Sequence, residues 1–189
     1  SDGLRSYLPS CAEELWHLTS LTAQAYRPST SSVVIKECAP YFSDDTICDA
    51  WNTLNVADDF RQCESKWIKA IGMIKMRVDE KSLVSLLCRI VDQHLYTVAS
   101  DVSNVIAGMD LDKIDNGLVD QLGSSLKSNS DELLKNNFSA GVFGCVEKCC
   151  GFSILSEEQV ERLSTVERGC YLDNKSPAYN TEMACIDEL

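Results

Sequence analysis

Histidine is nearly missing from this chain: its 189 residues include only His17 and His94. Each stands alone in a helical stretch, so neither a histidine-rich metal centre nor a local histidine-based catalytic motif is available. Basic residues are also scarce, 17 against 29 acidic ones, for a net charge of -12. That balance argues against nucleic acid as a partner, because binding there depends on neutralising phosphates. It argues equally against adsorption to anionic lipid. No apolar run approaches the roughly 18 residues that a membrane span needs, so none is expected.

Chemical motifs are missing too. Gly141-Val142-Phe143-Gly144 is too short for a phosphate loop and lacks the Gly-Lys-Ser/Thr that would follow. Asp110, Asp112 and Asp115 are the densest set of carboxylates, but Ile114 stands where a calcium loop needs a ligand and Asp115 where it needs glycine. They read as helix-terminal charge, as do Asp44-Asp45, Asp58-Asp59 and Glu157-Glu158. No residue is therefore assigned a catalytic, cofactor-binding or metal-binding role, and the chain is not expected to be an enzyme. Strand signals are just as thin. Val33-Val34-Ile35 has no second β-rich segment to pair with, and an isolated strand is unstable.

What the chain does have is cysteine. Ten are spread along it: Cys11, Cys38, Cys48, Cys63, Cys88, Cys145, Cys149, Cys150, Cys170 and Cys185. At 44% hydrophobic residues the chain has material for an ordinary core, so covalent bridges are not rescuing a domain too small to fold. Only Cys145, Cys149 and Cys150 lie close together, and paired short spacings of the zinc-binding kind are absent. The expectation is a disulfide framework formed in oxidising surroundings. Adjacent Cys149 and Cys150 cannot readily bridge each other, which makes the 145–150 segment the expected hub of that framework. Cys38 and Cys48 bracket the Pro40-Tyr41-Phe42 turn, and one or both are expected to tie it down.

Two triplets, Asn137-Phe138-Ser139 and Asn174-Lys175-Ser176, fit N-glycosylation, the second weakened by Pro177. A first residue of Ser1 is what removal of a signal peptide would leave. The terminal Ile186-Asp187-Glu188-Leu189 departs from an endoplasmic-reticulum retrieval signal at its basic position, so retention is not expected. An extracellular or cell-surface location follows.

Helical periodicity dominates. Ser10 and Glu13 have the spacing of a capping box, opening a helix to Arg27 whose apolar face reads as Cys11, Leu15, Leu18 and Ala25, widened by Trp16 and Leu21. Short helices are expected at about 31–38 and 44–52. Longer ones at about 55–77 and 80–107 turn around Val78-Asp79, forming an antiparallel hairpin. A helix over 110–126 is weakened by Gly117 and Gly123, each costing about 1 kcal/mol relative to alanine. Further helices are expected near 130–134, at 139–149, and at 157–168 closed by Gly169, before a tail strapped on by Cys185. The expected fold is all-α: a disulfide-rich, irregular bundle of about five to eight helices around that long hairpin, in one domain over 1–189.

Function then rests on exclusion. The leading expectation is a non-catalytic secreted protein-binding module, as ligand, receptor ectodomain or effector, whose partner is another extracellular protein with a basic patch. The expected interface lies in the irregular 28–52 region with its flanking aromatic: Tyr26, Val33, Val34, Tyr41, Phe42 and Trp51. The alternative is a carrier of a small hydrophobic ligand such as a lipid, held between helices. A secreted enzyme ranks third.

Overall fold

The computed structural model describes residues 7–23, 28–55, 65–93 and 96–175, whose regular secondary structure is all helical, without a strand. The α-helices are α1 (Leu8–Ala23), α2 (Pro28–Cys38), α3 (Asp44–Asn55), α4 (Ser65–Ile74), α5 (Glu80–Asp92) and α6 (Ala99–Ala107). They continue as α7 (Asn116–Ser128), α8 (Ser130–Lys135), α9 (Ala140–Cys150), α10 (Glu157–Arg162) and α11 (Thr165–Lys175). Short 3-10 turns occupy Ala39–Tyr41, Lys75–Arg77, Tyr96–Val98 and Leu111–Lys113. Among the described residues no helix is long and apolar enough to cross a membrane.

The eleven described α-helices exceed the expected range because several apparently continuous segments are broken. Residues 80–107 divide into α5, a 3-10 turn and α6. The α4 helix packs against α2 and α6. The 110–126 stretch opens with a 3-10 turn, and α7 begins only after Asp115, whose carboxylate accepts the Gly117 N–H at 2.9 Å. Gly169 does not end a helix. It lies inside α11, because Ser164 and Glu167 form a reciprocal cap: Ser164 N–H donates to Glu167 at 3.0 Å and Glu167 N–H to Ser164 at 3.3 Å.

Other punctuation acts as the residues suggest. Asp79 caps α5 by accepting the Ser82 N–H at 2.8 Å. Ser156 and Gln159 form a capping box on α10, and Gly151 closes α9 with φ of 71°, a left-handed conformation suited to glycine. The Ser10–Glu13 box, by contrast, does not form. The α1 helix starts earlier, Ser10 hydroxyl donates to the Tyr7 carbonyl, and Glu13 reaches to a different helix.

The covalent framework is not present in this structure: Cys11, Cys38, Cys48, Cys88, Cys145, Cys149, Cys150 and Cys170 are all free thiols. Cys63 and Cys185 lie outside the described residues. The segment expected to be a disulfide hub is central for another reason. The α9 helix is packed by α6, α7 and α11 and buries Ala140, Gly141, Val142, Phe143, Gly144, Val146 and Glu147. Cys38 is turned into the core while Cys48 faces solvent beside buried Ile47, so the two do not clamp the intervening turn.

Candidate functional site

The helical period of α9 distributes its residues over three neighbours. Gly141, Gly144 and Glu147 recur at intervals of three and face α11. A Cβ at Gly144 would fall inside the contact distance of the Tyr171 carbonyl oxygen, and one at Gly141 would meet Asn174 Nδ2 at 2.8 Å. Only glycine allows the two backbones to lie this close. On another side Phe143 stacks at a tilt on Phe138, with ring centroids 4.8 Å apart. Cys150 lies against α7, where a Cβ on Gly123 would meet its Sγ at 3.2 Å.

At the centre of the α9–α11 contact is Glu147, the buried acid among the described residues. Its Oε1 accepts the N–H groups of Ile154 and Leu155, both at 2.8 Å. Its Oε2 accepts the Tyr171 hydroxyl at 2.6 Å and faces Lys175 Nζ at 2.8 Å. Lys175 also donates to the Tyr171 oxygen at 3.2 Å. Burial pushes the Glu147 carboxyl up, but Lys175, Tyr171 and the two backbone donors outweigh it and leave the group below its usual range. Burial, then the bond to Glu147, pushes the Tyr171 phenol up, and the bonds to Glu147 and Tyr171 push Lys175 up. The triad therefore holds carboxylate, phenol and ammonium at neutral pH. None is poised to exchange a proton there, and the arrangement acts as an anchor for α11 and the 154–155 turn.

A groove of about 290 Å³ lies beside the same helix, lined by Val142, Cys145 and Cys149 from α9. Ile106 and Leu111 supply apolar wall, and Asp112, Lys148, Asp173 and Asn174 its polar rim. Cys149 Sγ donates to Asp112 Oδ1 at 3.5 Å. Burial, followed by the bond and charge of Asp112, pushes the Cys149 thiol up to about 11, and burial likewise raises Cys145. Thiols held protonated are weak nucleophiles, since the thiolate is the reactive form. Among the described residues, no three histidine, cysteine, aspartate or glutamate side chains gather as a metal site. His17 is exposed on α1, and His94 lies outside the described residues.

A second locus sits around the 39–46 turn. Trp16 packs on Phe42 with centroids 5.9 Å apart and donates to Asp49 at 2.7 Å. Glu13 accepts the Ser43 N–H at 2.6 Å and also the Thr46 hydroxyl, so α1 caps the start of α3. From the other side Arg77 donates to the Phe42 carbonyl at 3.0 Å and to Asp44 at 2.5 Å.

The expected interface residues are split by this packing. Phe42 and Trp51 belong to the core and cannot present a surface; Val34 is half-buried. Val33 and Tyr41 are each 44% exposed, and Tyr26 lies outside the described residues. The α1 face is also rotated from expectation. Ala12, Trp16 and Thr19 point inward, while Leu15 and Leu18 are 36% and 55% exposed. The stripe that starts from Ala12 lets the large indole enter the core and find Asp49, and the leucine stripe is left outside.

The two glycosylation triplets also differ. Asn137 is exposed in a turn with φ of 62°, whereas Asn174 Nδ2 is spent on the Cys170 carbonyl at 2.8 Å. Sequence reasoning missed Glu147, Tyr171 and Lys175. The available signals were an acid within the mostly apolar 140–146 continuation and a tyrosine–lysine pair one turn apart. No protein-family model matches the chain, no curated protein matches it in sequence, and no solved structure matches its fold.

Proposed function

We propose that this chain is a non-catalytic, extracellular protein-binding module that docks through its N-terminal helices. The observation that carries this reading is the rotated face of α1, which buries Ala12, Trp16 and Thr19 and leaves Leu15 and Leu18 exposed, with Tyr7 exposed just before the helix. Apolar groups turned outward while a hydroxyl is turned in suit a surface that another protein covers. Val33 and Tyr41, on α2 and the turn after it, extend the apolar content of the region. The net charge of -12 favours a partner with a basic patch. An even number of cysteines along the chain supports an oxidising location, in which a covalent framework and a glycan on Asn137 belong to the mature protein.

The carrier reading has no comparable support. Three grooves lined by described residues, of about 230, 290 and 450 Å³, are open and rimmed by charged side chains such as Asp131, Arg162 and Lys148. Apolar carriage favours an enclosed, mainly apolar site.

The test is binding of labelled protein to a panel of extracellular proteins, comparing L18D and Y41D with V166D. Val166 is an exposed apolar residue on α11, far in sequence from the proposed face. The reading expects L18D and Y41D to abolish a saturable interaction that V166D leaves intact. Equal binding by all three variants, or no saturable partner, would overturn it.

A further inference from the structure

We propose that Cys11 and Cys38 form an intramolecular disulfide that locks the start of α1 onto the end of α2. Two contacts lie close to the pair, each a few residues C-terminal to both cysteines. Glu13 is bonded to Ser43, and Trp16 is packed on Phe42, so the first turns of α1 run beside the segment that leaves α2. Cys11 lies less than one turn from Glu13 and about a turn and a half from Trp16, and Cys38 just before the 39–41 turn that carries the chain to Phe42 and Ser43. Ala12 and Ala39, the immediate neighbours of the two cysteines, are both buried, and α1 packs against both α2 and that turn. Burial first, and then the nearby charge of Cys11, raise the Cys38 thiol, which is consistent with this proximity. Among the described residues of this region, the other cysteine, Cys48, faces solvent.

Oxidised glutathione is the co-reactant. Cys11 is half-buried and its Sγ donates to the Tyr7 carbonyl at 3.1 Å, so it is the accessible member of the pair. It loses a proton and attacks the glutathione disulfide, releasing one glutathione thiolate and leaving a mixed disulfide on Cys11. Buried Cys38 then loses its proton and attacks the Cys11 sulfur, releasing the second glutathione. Two protein thiols are oxidised by two electrons, and one glutathione disulfide is reduced to two thiols. The inference goes beyond the docking proposal and does not depend on it.

The test is equilibration of the full chain in glutathione redox buffers, followed by acid quench, alkylation, proteolysis and mass spectrometry. The expected result is a Cys11–Cys38 linked peptide, with matching loss of alkylated Cys11 and Cys38 as the buffer becomes oxidising. C11S is expected to remove that peptide and restore alkylation of Cys38. Linkage of Cys11 or Cys38 mainly to other cysteines would overturn the proposal, as would persistence of both as free thiols in the most oxidising buffer.

Discussion

The two ends of this molecule are held by different kinds of bond. Around α9 and α11 the backbones approach through Gly141 and Gly144, and one buried acid collects four donors. Around α1 and α3 the polar contacts are less enclosed: Glu13 and Arg77 reach a short turn over a tryptophan–phenylalanine pair, and Trp16 donates to Asp49, which is exposed. Buried, fully satisfied groups are costly to disturb, whereas exposed ones exchange with water at little cost. The same molecule therefore has a closed C-terminal part and a more adaptable N-terminal part, and the exposed leucines lie on the adaptable one. Binding surfaces are commonly drawn from the less stable regions of a fold.

The sharpest break in that contrast is Glu147→Ala. It strands two backbone N–H groups, the Tyr171 hydroxyl and Lys175, and is expected to cost about 3 kcal/mol in urea unfolding, the lower end for a broken buried pair because Lys175 is partly exposed. The charge on Glu147 also gives a pH signature. Its folded pKa is depressed, so its stabilisation is fully present above the unfolded carboxylate value of about 4.3 and fades as pH falls through the folded value. The urea midpoint should fall in that acid range, and E147Q should flatten part of the fall. Glu13, also held low by its bonds to Thr46 and Ser43, supplies another part in the same direction.

A smaller effect is expected from Gly144→Ala, which pushes a methyl group into the Tyr171 carbonyl. Its cost should be about 2 kcal/mol by overpacking, with loss of the Tyr171–Glu147 bond visible as a change in tyrosine absorbance or fluorescence. At the other end, Glu13→Ala removes a surface cap and should cost under about 1 kcal/mol in the same urea titration. A Glu13 effect as large as that of Glu147 would erase the distinction between the two regions.

Much of the helical layout was legible because it is written locally. Asp79, Gly108, Ser156 and Gly151 mark boundaries by their own backbone or side-chain chemistry, and the structure places helix ends there. The pair Ser164–Glu167 has the same spacing as Ser156–Gln159, yet the Gly169 nearby was read as the stop. The cap prevails because an interior glycine weakens a helix by only about 1 kcal/mol. Ser10–Glu13 has the spacing too, but there the glutamate finds a better use on Ser43 and Thr46, 30 and 33 residues away. Such long-range bonds carry no local pattern. The face of α1 was misread for a related reason: Leu15–Leu18 and Ala12–Trp16 are both helical stripes, and only tertiary packing chooses between them. The candidate site was the least legible, since Glu147 gains its meaning from Ile154, Leu155, Tyr171 and Lys175 together.

Hydrogen exchange at individual amides tests the central contrast most directly. Ile154 and Leu155 donate to a buried carboxylate, while Ser43 donates to an exposed one. The account predicts that the Ile154 and Leu155 amides exchange slower than that of Ser43 by about tenfold or more, after correction for intrinsic rates. Equal protection at the three amides, or slower exchange at Ser43, would contradict it.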